Sequence, residues 1–546
     1  MGTSTPNQES NSIPAKGDGH IDSPFTDNKE NSQDDDAYYK GSSPGSSPRY
    51  DTDSSSDSVK EVFSVDQIDP VLQRKMALVN ESIDSIGMTG FQWKMFVLNG
   101  FGYAVDSLLI VAHSIANPAV QQEYGNPSKH VSGIPLASQV GLLVGAGIWG
   151  FSADIIGRKL AFNTSLLSCA VFVLIAGGMP NYISFAAFVA LYSAGAGGNY
   201  ILDATNFLEF LPTKWAWLLT FMAVWWPIGY SITGFLAWGF MSNFSCSPDA
   251  TVCPRSENMG WRYLHFTCGA LVLIMALARV TLIRMVQTPR WLISQNRDAE
   301  VIQVLDGIAT KYHRSHDLTL AQLQAEGTVK HSEKSVWSAL RLKLHFKGIF
   351  QTRKLAWSTT VILASWFVIG MVSPLYAVFL PFYLESRGAD TGDNSNYTTW
   401  RNYAINQVAG LFGPIIAGIL VETKFTGRRG TLATGALCTM LLQFGYTQIK
   451  TPAQNVGVSA AITAASNIYY GTIYAYTPEI LPSAHRATGY GLCVVVNRIG
   501  GIIGVLIGSY ANVETTAPLF VCAALFGLLV VLSLLLPFES RGKRSQ

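Results

Sequence analysis

Two sets of six apolar stretches, separated by one polar segment, constrain this chain more than any other feature. The first set lies near residues 93–116, 134–153, 160–177, 183–205, 216–240 and 262–284, and the second near 355–384, 403–422, 431–448, 456–476, 487–510 and 517–536. Most approach the roughly 20 residues that cross a bilayer as a helix. In hydrocarbon a crossing backbone has to satisfy its own hydrogen bonds, which a helix does within one segment. Composition removes the soluble alternative. Only 14% of residues are Asp, Glu, Lys or Arg and 49% are hydrophobic, whereas a soluble domain carries about 25% charged residues. The expected fold is therefore all-α and membrane-embedded, with twelve transmembrane helices in two six-helix bundles. No phosphate-binding glycine loop opens a soluble domain and no Cys/His cluster suits a metal. Enzyme, metal, cofactor and nucleic-acid readings consequently have nothing behind them.

The net charge of +2 hides an asymmetry. Residues 1–70 hold fourteen acids and five bases, a deficit of nine that leaves the rest of the chain at +11. This front is rich in Ser, Asn, Gly and Pro and lacks the apolar content that offsets ordering entropy. The expected organisation is a disordered acidic cytoplasmic tail over 1–88, a six-helix bundle over 89–284, a cytoplasmic linker over 285–353, a second bundle over 354–537 and a short cytoplasmic tail over 538–546. Ser-Pro pairs at Ser23, Ser43 and Ser47 are phosphorylation candidates, and the first apolar helix is expected to act as the targeting signal. With both termini inside, ten Lys and Arg residues fall on inner short segments and six on outer ones, the bias expected from the resistance of basic loops to translocation. Asn-x-Ser/Thr sites at Asn243 and Asn396 then fall outside as glycosylation candidates. So do Cys246 and Cys253, which an oxidising exterior would allow to bridge or leave as free thiols.

An internal duplication fixes the architecture. GFSADIIGRK after the second stretch contains Asp154, Gly157 and Arg158, and GILVETKFTGRR after the eighth contains Glu422, Gly427 and Arg428. FLEFLP ends the fourth stretch with Glu209, and TPEILP ends the tenth with Glu479. Both motifs recur at an offset of 270 residues, so the halves are parallel copies. GFSADIIGRK resembles the signature loop of the major facilitator superfamily, TPRWLISQNR resembles a sugar-porter segment after helix 6, and YTPEILPSAHRATG resembles that group's helix 10–11 loop. GAGGNYILDATNFLEFLP and the stretch ending VVNRIGG look closer to the synaptic-vesicle-protein-related branch and its fungal relatives. Gln287 before TPR, Val189 in helix 4 and ASWFVIGMVSPLYAVF in helix 7 depart from the sugar porters and point away from a sugar.

The resemblance implies a central cavity exposed alternately to either side as one half rocks against the other. A releasable cytoplasmic latch is then expected from Asp154, Arg158, Glu209, Glu422, Arg428, Glu479 and Arg486, with Asp203 assigned to it rather than to the cargo. A static anchor is the rival reading. Asp106 lies mid-helix 1, and an ion at that depth is costly unless it faces a cavity or a partner. By resemblance it is the proton-coupling position. His113, seven residues on, shares its face. Arg498 with Asn497 lies mid-helix 11, and an arginine keeps its charge, so its anion is Asp106, a bound substrate, or both in turn. Trp225, Trp226, Trp366, Tyr376, Tyr469 and Tyr470 are candidate cavity aromatics. The implied function is proton-coupled transport of a small polar or organic anionic solute by a monomer in the plasma membrane. A non-transporting receptor with a signalling tail and a proton-driven efflux pump are the alternatives. Partners are the solute, protons and the lipid bilayer.

Overall fold

The computed structural model describes residues 70–125, 133–156, 158–247, 250, 252–281, 287–329, 348–386, 395–482, 486–510 and 517–540. Ser23, Ser43 and Ser47 lie outside them.

The first described helix, α1 (Pro70–Ile86), falls inside the segment expected to be a disordered tail. Its Val79, Ile83 and Ile86 recur at helical spacing and are buried, which is the stripe an amphipathic helix needs in order to dock. Thr89 then caps α2 (Gly90–Tyr124), with Gln92 closing a capping box. The first half continues with α3 (Gly133–Ile156), α4 (Arg158–Gly177), α5 (Tyr182–Ala196), α6 (Asn199–Phe210), α7 (Trp225–Asn243) and α8 (Gly260–Thr281). The fourth crossing is thus two helices rather than one, parted at Gly197–Gly198. A β-carbon at Gly198 would sit 2.1 Å from Trp149 Cβ, so the break brings this backbone onto α3.

The linker carries α9 (Pro289–Ser294), α10 (Asp298–Lys311) and α11 (Leu320–Ala325). Helix α1 is pinned to it. Lys75 Nζ donates to Asp298 Oδ2 at 2.6 Å, with Lys75 fully buried. At its other end Asp84 accepts from Thr213 N at 2.7 Å and Thr213 Oγ1 at 2.8 Å, in the turn after α6.

The second half comprises α12 (Arg353–Ser386), α13 (Asn396–Ala409), α14 (Phe412–Leu420), α15 (Gly427–Tyr446), α16 (Pro452–Ile480), α17 (Arg486–Tyr510) and α18 (Ala517–Leu535). Among the described residues, six spans are long and apolar enough to cross a membrane by themselves, and four shorter apolar helices add to them. The halves meet where α7 packs on α13 and α3 on α17.

Candidate functional site: a buried polar centre between two helix bundles

The apolar sequence of α2 carries Asp106 into the interior, where it is fully buried. Its Oδ1 accepts from Asn199 Nδ2 at 2.8 Å, and Asn199 Oδ1 in turn accepts from Ser165 Oγ at 3.0 Å. Helices α2, α6 and α4 are joined by this chain. Among the described residues Asp106 Oδ2 has no hydrogen-bond partner. The hydrogen bond on Asp106 comes from the neutral Asn199 amide, and Arg498, for which the sequence left Asp106 or a bound substrate as the anion, is buried on α17 in the other half. The Asn199 amide follows the Gly197–Gly198 break, so the same kink that splits the fourth crossing aims the side chain that holds Asp106.

His113 is buried but turned away from this chemistry. Its Nδ1 donates to the Leu109 carbonyl of its own helix at 2.9 Å and its ring packs 6.3 Å from Tyr192. Asn497 likewise has a structural partner, donating through Nδ2 to the Trp366 carbonyl at 2.9 Å. That bond fastens α17 to α12 at a close approach, since a β-carbon on Gly370 would lie 2.1 Å from the Asn497 carbonyl oxygen.

Asp203, expected in the latch, has its partner inside the first half. It is fully buried and pairs with Arg279 on α8, with Nη2 3.2 Å from Oδ1, and the same nitrogen donates to the Leu98 carbonyl of α2 at 3.1 Å. Sequence reasoning missed Arg279, although a basic residue inside the apolar run MALARVTLI is itself the signal. Arg262 is buried in a bidentate pair with Glu123 at 2.6 and 2.9 Å, at the end of the first half away from the linker.

Aromatic rings line the seam between the halves. Trp226 of α7 lies 5.5 Å from Tyr474 of α16, and Tyr474 stands edge-on to Trp366 of α12 at 4.7 Å. Trp366 Nε1 donates to Thr477 Oγ1 at 2.9 Å, and Tyr470 packs against the same core. Tyr376 packs against that core as well, and also against Tyr446, Ile462 and Leu519. Trp225 turns to α2, edge-on to Phe101 at 5.6 Å, and Tyr469 is buried in the second half's core. Tyr474 was the ring the sequence did not single out.

At the linker face the second copy of the duplicated motif forms a buried ion pair. Arg428 Nε and Nη2 donate to Glu479 at 3.0 and 2.8 Å. Such a forked pair combines charge with geometric selectivity. Glu422 is exposed nearby, and Arg486 and Glu209 are buried. The side chains of Asp154 and Arg158 lie outside the described ones. The chain end adds two groups that a reading as a tail concealed. Glu539 accepts from the Arg428 and Arg429 backbone nitrogens at 2.8 and 3.1 Å, capping α15, and Ser540 Oγ donates to Glu479 Oε2 at 2.7 Å.

At the opposite end Cys246 and Cys253 are disulfide-bonded. Asn243 is exposed, whereas Asn396 Nδ2 donates across the halves to the Cys246 carbonyl at 3.0 Å.

Residues 99–505 match the profile described as Major Facilitator Superfamily. A protein of Ceriporiopsis subvermispora named MFS siderochrome iron transporter 1 is 39% identical over 494 residues, covering 89% of this chain and 94% of its own. The Synaptic vesicle 2-related protein of Pongo abelii is 25% identical over 485 residues, covering 86% of this chain and 82% of its own. Among solved structures, the proton:xylose symporter XylE bound to 6-bromo-6-deoxy-D-glucose superposes with a TM-score of 0.60 at 16% identity, covering 84% of this chain and 98% of that one, a likeness of fold. The chain belongs to the Major Facilitator Superfamily, as a secondary transporter and not an enzyme.

Proposed function

We propose that this transporter couples a proton gradient to the movement of a small polar or organic anionic solute by alternating access, with Asp106 as the proton-carrying group. The observation that supports this most is the setting of Asp106: fully buried, held by a neutral amide, with one oxygen left without a donor. A carboxylate ion there is expensive, so its charge has to be linked to a change in the surroundings such as solute or water entry. Arg498 from the other half supplies a permanent cation within electrostatic range, suited to an anionic cargo. The linker face is assigned to the cytoplasm and the disulfide face to the exterior, in the plasma membrane. On that assignment Arg428 and Glu479, both in the second half, form the inner latch within that half, made in this structure and released once per cycle.

The test uses reconstituted vesicles with an imposed pH gradient and a panel of labelled carboxylates, vitamins and sugars. The panel includes a siderochrome, after the name of the fungal relative. At least one anionic member should accumulate, with accumulation lost when an ionophore collapses the gradient. Accumulation that ignores the ionophore would reject proton coupling.

A further inference from the structure

The pair formed by Asp203 and Arg279 lies buried within the first half. Its place is specific. A β-carbon at Gly102 of α2 would lie 1.7 Å from Asp203 Oδ2 and 2.8 Å from Arg279 Nη2, so the carboxylate rests directly on the helix backbone where a side chain is missing. The arginine reaches the same helix at the Leu98 carbonyl, 3.1 Å away. Gly102 and Asp106 are four residues apart, one above the other on a single helix face. Asp203 and Asn199 are likewise four apart on α6. Two rungs therefore connect the same two helices. One is the ion pair seated on Gly102, and the other, a turn further on, is the hydrogen bond from Asn199 to Asp106. Asp203 keeps one oxygen without a hydrogen bond, pressed against the helix rather than bonded to it.

We propose that Asp203 and Arg279 are positioning residues for the proton-carrying carboxylate: they set the depth and rotation at which α2 meets α6, and so fix the contact between Asp106 and Asn199. This rests on the coupling role given to Asp106. The pair also contributes a local field. The charged and titratable groups around Asp106 are Tyr103 on its own helix, Asp203 and Arg279 from α6 and α8, Arg498 from α17, Cys169 from α4, and Tyr230 and Tyr474 from α7 and α16. The Asp203–Arg279 pair also touches the α2 backbone, at the Leu98 carbonyl and at Gly102.

The experiment follows the protonated-carboxyl stretch of Asp106 by infrared difference spectroscopy of the whole protein in lipid, as a function of pH. The band is assigned by its loss in Asp106→Asn. Two altered proteins are compared with the parent. Gly102→Ala pushes Asp203 off the helix with every charge retained. Asp203→Asn with Arg279→Gln removes both charges together, which leaves neither one stranded and keeps the protein folded, as checked by an unchanged elution volume. Both should shift the midpoint of the Asp106 band by about one pH unit or more, the scale on which a neighbouring charge or a lost hydrogen bond acts. A band with the parental midpoint in both altered proteins overturns the positioning role and leaves the coupling role of Asp106 standing. The absence of any band sensitive to Asp106→Asn overturns both.

Discussion

The two halves of this transporter are copies at one face and strangers in the middle. Both retain an acid, a glycine and an arginine after their second helix, and a glutamate ending their fourth, at the constant 270-residue offset. In the second half these residues make the forked pair of Arg428 with Glu479. The interiors have diverged. The first half buries Asp106, Asp203 and Arg279 along α2, α6 and α8, while the second offers Arg498 and an aromatic wall around Trp366 and Tyr474. Repetition is kept in the segments proposed to form the latch. It is absent where the first half buries two acids and the second Arg498. The comparison separates the moving parts from the chemistry.

The largest expected effect tests the interior of the first half. Arg279→Gln strands Asp203 as a fully buried acid, and losing one member of such a pair costs about 3–5 kcal/mol. The protein should lose most of its folded yield, read as the recovered monodisperse fraction. A yield equal to the parent's would mean that the interior charges of this half are no more consequential than surface ones. A smaller effect is expected in the second half. Glu479→Gln breaks the forked pair, but Glu539 and Glu422 still place negative charge near Arg428, so the cost should be nearer about 2 kcal/mol. The protein should fold, and a single cysteine placed at the linker face should be labelled several-fold faster. Equal labelling would make the pair a static anchor rather than a latch.

Much of this arrangement is legible in the amino-acid order, and the reasons for the remainder are physical. Twelve apolar stretches and one duplicated loop suffice for six helices, a linker and six more, because hydrocarbon leaves few alternatives. The pairing of Arg428 with Glu479 also follows, since opposite charges recurring at the same places in two copies imply a shared geometry. Helix α1 was hidden because its short amphipathic stripe adjoins a long acidic tract, and its docking depends on a buried lysine whose partner Asp298 lies 223 residues away. Asn199 was overlooked because a neutral amide leaves no charge signal, although only such a donor holds Asp106 in this arrangement. Glu539 and Ser540 sit in a polar chain end that resembles any other tail until it is seen folded over the latch.

Replacing Asp106 with Asn and comparing two modes of transport in the same vesicles is the most direct measurement. It keeps the side chain's shape and its bond to Asn199 while abolishing the proton site. Uphill accumulation driven by an acid exterior should vanish, while exchange of labelled for unlabelled solute at equal pH continues at a comparable rate. Undiminished uphill accumulation by the Asn protein would contradict the account.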